Sequence, residues 1–291
     1  MTTISAGGAL VVGVDGTPGA AQAVSWAAGL AAERGAPLLL VHGLGISELY
    51  RGQLVPPPER LVRELRDRGH RILRQARDLA TTSTTADLRV HLADDSAEAA
   101  LTALSAGARM VVLGATGNTR LTSVFGRSVT LTLAAHAHCP VVSVRGDTSP
   151  GDLPVVVGVD GSPLSENAVE TAFAEAAARG TSLVAVHAWG TGQTTRVFGE
   201  VADYYDWAPT LETETAVLAE RLAGRRGRHP DLTVEHVVVH DDPRTALLGW
   251  SHKAQLLVVG SRGRGGFTGL LLGSTSQALL HHAACPVLVA H

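Results

Sequence analysis

Val12-Gly13-Val14-Asp15-Gly16-Thr17-Pro18 returns as Val157-Gly158-Val159-Asp160-Gly161-Ser162-Pro163. The offset is 160 − 15 = 145, and it recurs. Arg34-Gly35 returns as Arg179-Gly180, and Val41-His42 as Val186-His187. Later in each half, Val111-Val112-Leu113-Gly114 returns as Leu257-Val258-Val259-Gly260, and Ala137-His138-Cys139-Pro140-Val141-Val142 as Ala283-Ala284-Cys285-Pro286-Val287-Leu288, both at 146. Matches spread over the whole length at a nearly constant offset mark a duplicated domain. The 291 residues give each copy roughly 140. The break falls in the polar Pro/Gly stretch 146–152, which places the domains at 1–146 and 154–291.

Within the first half, residues 10–14 form a short apolar run closed by Asp-Gly, a buried strand and its turn. Residues 20–33 are Ala-rich with helical spacing, and Gly35 suits the helix end. Strands follow at 38–42, 88–92, 110–113 and 141–144, with helices at 59–79, 97–107 and 128–136. In the helix 59–79, Leu61, Leu65, Ile72, Ala76 and Leu79 share one stripe. The second half repeats this order. Wholly apolar strands alternating with helices predict an α/β fold, a parallel sheet covered on both faces. Right-handed crossovers make each sheet doubly wound, with ligands at the carboxyl ends of its strands.

Composition closes off several chemistries. The formal charge is −3, so the chain has no basic surplus for a nucleic-acid partner. Lys253 is the only lysine and lacks the Gly-Lys-Ser/Thr context of a Walker phosphate loop. Two cysteines, Cys139 and Cys285, make no disulfide framework. No leader peptide and no membrane-length apolar run is evident, so a cytoplasmic setting is expected.

Gly260-Ser261-Arg262-Gly263 leaves a strand, and Gly273-Ser274 opens the next helix. Glycines let backbone N–H groups approach an anion closely. A helix start adds unpaired N–H groups and the positive end of its dipole. Ser274 and Ser276 offer hydroxyls, and Arg262 and Arg264 offer charge. The same residues also suit a plain glycine-rich surface loop.

The spacing Gly-x2-Gly-x9-Gly-Ser, the opening Val-Gly-Val-Asp-Gly-Ser and the closing Cys-Pro-Val strand together resemble the universal stress protein family, in its tandem, ATP-binding form. The resemblance covers both halves. It implies a Rossmann-like, adenine nucleotide alpha hydrolase-like sheet of five strands in the order 3-2-1-4-5. It also implies that ATP, with or without Mg²⁺, lies against Asp160, His187, Ala188, Gly260, Gly263, Gly273 and Ser274. The matching first-half set is Asp15, His42, Gly43, Gly114, Gly117, Arg127 and Ser128, where Arg127 stands in place of the motif's third glycine. A left-handed conformation at that place would cost a non-glycine residue about 1–2 kcal/mol, whereas an arginine can also pair with phosphate.

Bland alternatives stand beside several of these residues. Asp15 and Asp160 fit either a ligand contact or an Asp-Gly turn that binds its own backbone. His42 and His187 close the second strand of each half with no nucleophile nearby in sequence. His136, His138 and Cys139, with His281, His282 and Cys285, sit at helix ends, and no metal is expected there. Phe198, Tyr204, Tyr205 and Trp207 form either a lid, a partner patch or an ordinary loop core. The function expected is a nucleotide-binding regulatory module with an unidentified protein partner. The rival is a slow ATPase or phosphotransferase at the same site, for which no catalytic residue is identifiable. Final strands at the sheet edges invite pairing. The resemblance implies an intrachain pseudo-dimer through them, and a homodimer beyond it.

Overall fold

The computed structural model describes residues 5–51, 56–84, 86–115, 128–148, 151–190, 207–264 and 271–291. They divide into two compact units, Met1–Arg145 and Gly146–His291. In the first, β1 (Leu10–Gly13), β2 (Leu38–Gly43), β3 (Leu88–Ala93), β4 (Met110–Gly114) and β5 (Val141–Val144) alternate with α1 (Pro18–Arg34), α2 (Ile46–Arg51), α3 (Glu59–Thr81), α4 (Ala97–Ser105) and α5 (Val129–His136). The second unit holds β6 (Val155–Gly158), β7 (Leu183–Ala188), β8 (Val234–Val239), β9 (Leu256–Gly260) and β10 (Val287–Ala290). Its helices are α6 (Glu166–Arg179), α7 (Ala208–Arg226), α8 (Pro243–Ser251) and α9 (Ser274–His282), with a 3₁₀ turn, Pro163–Ser165, leading into α6.

Every ladder within each unit is parallel. The strand order is β3-β2-β1-β4-β5 in the first unit and β8-β7-β6-β9-β10 in the second, the 3-2-1-4-5 order in both. The order reverses between β1 and β4, and between β6 and β9, which opens a crevice at the carboxyl ends of those strands. Leu10, Val11 and Val12 of β1, and Val155, Val156 and Val157 of β6, are fully buried, as central strands covered on both faces require.

Local chemistry sets the helix ends. Thr17 accepts the Ala20 N–H at 3.2 Å, and Pro18 takes the first helical position of α1. Gly35 closes α1 at φ +57°, and Gly180 closes α6 at φ +62°. Ser96 and Asp242 cap α4 and α8 in the same way as Thr17 caps α1.

The stripe expected on α3 holds only in part. Ile72 and Ala76 are buried with Gly69, Leu73 and Ala80, but Leu61 is 41% exposed. No α3 residue from 59 to 68 is buried, and Glu59, Val62, Arg63 and Arg66 line an open hollow beside α2, so apolar residues there have less to bury against. α2 itself carries no sequence signal that marked it in advance. No described helix is long and apolar enough to cross a membrane.

Candidate functional site

In the second unit, the turn after β6 and the turn after β9 meet. Asp160 Oδ1 accepts the Ser162 N–H at 2.9 Å and the Ser162 hydroxyl at 2.7 Å. Asp160 Oδ2 accepts the Arg264 N–H at 2.7 Å, from 104 residues away. So the aspartate binds its own turn and also holds the glycine-rich turn. Gly263 makes the second contact possible: a Cβ there would fall 2.6 Å from Asp160 Oδ2. The Arg264 guanidinium lies against Gly161, whose φ is +73°. Arg221 Nε donates to the Gly161 carbonyl at 3.1 Å.

The start of α9 completes the crevice. Gly273 donates its N–H to the Ser261 carbonyl at 2.8 Å, which fixes the turn ahead of the helix. Ser276 is buried and donates its hydroxyl to the Gly260 carbonyl at 2.7 Å, so it ties the helix to β9. Unlike α1, α4 and α8, α9 has no side-chain cap on its first N–H groups. Ser274 and Arg262 are exposed beside them. Uncapped helix N–H groups next to arginines form an environment suited to an anion.

His187 does not face the crevice. It is 1% exposed, with Nδ1 against the Val159 carbonyl at 2.7 Å and Nε2 against Glu214 Oε2 at 2.8 Å. A carbonyl only accepts, so Nδ1 carries its proton. Ala188 ends β7 next to it. Glu214 went unnoticed in the sequence. The signal available was its register: 214 − 69 = 145, so it matches Gly69 of α3. There, His42 Nδ1 bonds the Val14 carbonyl at 2.6 Å and its ring packs on Gly69 instead.

The first unit builds a tighter carboxyl edge. Asp15 Oδ1 accepts the Thr17 N–H at 2.9 Å and its hydroxyl at 2.6 Å, as in the second unit. A Cβ on Gly114 would collide with the backbone of Gly19 in α1, and one on Gly19 with the Ala115 carbonyl. Gly43 likewise admits the backbone of Ala97 at the start of α4. The second unit has Leu164 in place of Gly19 and Ala188 in place of Gly43. Ser128 precedes α5 without capping it. Gly117 and Arg127 lie outside the described residues, as do Phe198, Tyr204 and Tyr205.

The other candidates have structural partners. Trp207 packs against His240 and Trp189, with ring centroids 4.4 and 5.6 Å away. His136 Nδ1 bonds the Thr132 carbonyl at 2.9 Å. Burial pushes the Cys139 thiol up to about 11, away from nucleophilic use. Among the described residues, no three His, Cys, Asp or Glu side chains are placed to hold a metal ion.

The chain belongs to the universal stress protein family, whose model matches residues 8–145 and 153–291. Universal stress protein Rv2005c of Mycobacterium tuberculosis is 39% identical over 289 residues, covering 97% of this chain and 96% of that protein. Universal stress protein Rv2623 of the same organism is 38% identical over 289 residues, covering 97% and 95%. A universal stress protein from Archaeoglobus fulgidus shares the fold, with a TM-score of 0.67 at 15% identity over 97% of both chains.

Proposed function

We propose that this universal stress protein-family chain is an ATP-binding regulatory module, and that the crevice between Asp160 and α9 is its nucleotide site. The observation that carries the reading is the hydrogen bond from the Arg264 N–H to a carboxylate oxygen of Asp160. The glycine-rich turn presents a backbone donor to an anionic oxygen, at a place where Gly263 alone leaves room for one. The uncapped start of α9 and the exposed Arg262 supply further positive potential for phosphates. The family resemblance supplies the adenine nucleotide. Mg²⁺, where present, would neutralise phosphate charge beside Asp160.

In this reading ATP is a ligand that biases the conformation of the second unit, and a partner protein senses that bias. Any such bias equals the difference in ATP affinity between the two conformations.

The test is nucleotide content. Purified protein is denatured, and the adenine nucleotide in the supernatant is chromatographed and counted per chain. ATP is expected, and its loss is expected in Gly263→Glu, which drives a second carboxylate toward Asp160. Absence of nucleotide, with no thermal shift in millimolar Mg-ATP, would sink the proposal. ADP in the extract, with phosphate release that depends on Asp160, would establish hydrolysis instead.

A further inference from the structure

The first unit contains a hollow of about 490 Å³ between α2 and the first turns of α3, open to solvent. That volume lies in the range of small-molecule pockets. Ile46, Tyr50 and Val62 give it apolar walls, and Arg63, Arg66 and Asp94 give it charge. It shares no residue with the crevice marked by Asp15, Gly114 and Ser128.

The duplicated chain supplies its own control. The offsets of the neighbouring strands match Val62 with Trp207 (207 − 62 = 145) and Asp94 with His240 (240 − 94 = 146). Leu44, just after β2, matches Trp189 (189 − 44 = 145). In the second unit these three rings pack on one another, with Trp189 stacked on His240 at 4.3 Å and Trp207 at 4.4 Å from the same ring. The same place in the fold is filled by aromatic rings in one copy and left hollow in the other.

The charges in the hollow differ in their engagement. Arg66 Nη2 grips both oxygens of Asp94, at 3.2 and 3.1 Å. Glu59 stands in the first turn of α3, where the helix dipole favours a carboxylate. Arg63 is exposed and has no ion-pair partner among the described residues. The surrounding field has the same sign. α3 carries seven arginines. Residues 1–145 hold 14 cationic and 11 acidic side chains, a net of +3, against 10 and 16, a net of −6, in residues 146–291. The whole-chain charge of −3 conceals this asymmetry.

We propose that this hollow is a second ligand site, specific to the first unit, for a small organic anion whose apolar body lies on Ile46, Tyr50 and Val62 and whose charge meets Arg63. Two independent observations carry it: the missing aromatic plug and the unengaged arginine at the rim.

The probe is 8-anilino-1-naphthalenesulfonate, an aromatic body bearing one sulfonate, titrated into the full chain by fluorescence and calorimetry. One saturable site per chain is expected, and it persists in excess ATP. N-phenyl-1-naphthylamine, the same body without the charge, is expected to bind at least tenfold more weakly. Arg63→Met lies on an exposed face and should keep the fold, checked by circular dichroism, while weakening the probe at least tenfold. Val62→Trp, which copies Trp207, should abolish the site. Equal binding of the charged and neutral probes, or no effect of Arg63→Met, would refute anion recognition. Displacement of the probe by ATP would assign the hollow to the nucleotide site and overturn the proposal, as would a Val62→Trp protein that is folded and still binds.

Discussion

Gly263 is held to glycine by Asp160, and this gives a sharp residue-level prediction. An alanine methyl would meet Asp160 Oδ2 at 2.6 Å and push the carboxylate off the Arg264 N–H. A hydrogen bond to a charged group contributes about 1.5–3 kcal/mol net. Gly263→Ala should therefore destabilise the second unit by about that much in urea unfolding. With Asp160→Ala in the background, most of that loss should vanish, because neither the clash nor the bond remains. Additive losses would show that the two residues act independently. The glycines of this turn were legible in the sequence because glycine spacing is a local signal. Asp160 was placed beside them only by the family resemblance, and its direct bond to the turn was not legible, because 104 residues separate Asp160 from Arg264. His187 teaches the same lesson: its position at the end of a strand was legible, but not that its ring turns inward onto Glu214. Glu214→Ala should leave Nε2 of a fully buried ring without a partner, at a cost of about 1–3 kcal/mol. Glu214→Gln, whose carboxamide can donate to Nε2 or accept from it, should lose less. Equal losses for the two would mean that the carboxamide fails to replace the bond.

At the level of elements, the two copies give the same strand-end glycine different surroundings. Gly114 is a packing glycine, since α1 lays its backbone at Gly19 directly against it. Gly260 has more room, with a hypothetical Cβ at 3.1 Å from the Arg262 carbonyl and 3.3 Å from that of Leu164. Leu164 lies in the 3₁₀ turn Pro163–Ser165, and α6 begins only at Glu166, whereas α1 is helical from Pro18. Gly114→Ala must displace a helix, and overpacking of that kind costs about 1–3 kcal/mol or more. Gly260→Ala needs shifts of a few tenths of an ångström and should cost clearly less. Denaturant unfolding of the two variants, followed by hydrogen exchange to locate the loss, checks the difference; comparable losses would contradict it. A motif glycine is thus ambiguous in sequence, since close helix packing and an anion cradle both demand the absence of a Cβ. Strand and helix order, by contrast, followed from apolar runs and periodicity, except for the six-residue α2. α3 departs from its stripe at Leu61 because periodicity reports helical phase, not how far along the helix its apolar face is covered.

Across the whole molecule these differences make the copies unequal, and ligand stoichiometry measures the inequality. In the first unit, Gly19 and Gly43 draw the starts of α1 and α4 onto the ends of β4 and β2. In the second, Leu164 and Ala188 occupy those positions, while α9 and α5 alike begin without a side-chain cap. Both units offer uncapped N–H groups at that helix start, but only the second leaves room for a nucleotide at the strand end, beside Gly260, where α1 closes on Gly114 in the first. About one ATP per chain is therefore expected at saturation, by equilibrium dialysis. A ligand that binds only the folded state at 100 times its Kd adds about 2.7 kcal/mol of stability. Because that free energy belongs to the unit that binds, added protection in hydrogen exchange should concentrate in β6, β9 and α9 and leave β1 and β4 nearly unchanged. Two ATP per chain, with equal protection of both sheets, would show that the closer helix packing of the first unit yields to the ligand. The inequality would then lie in stability alone.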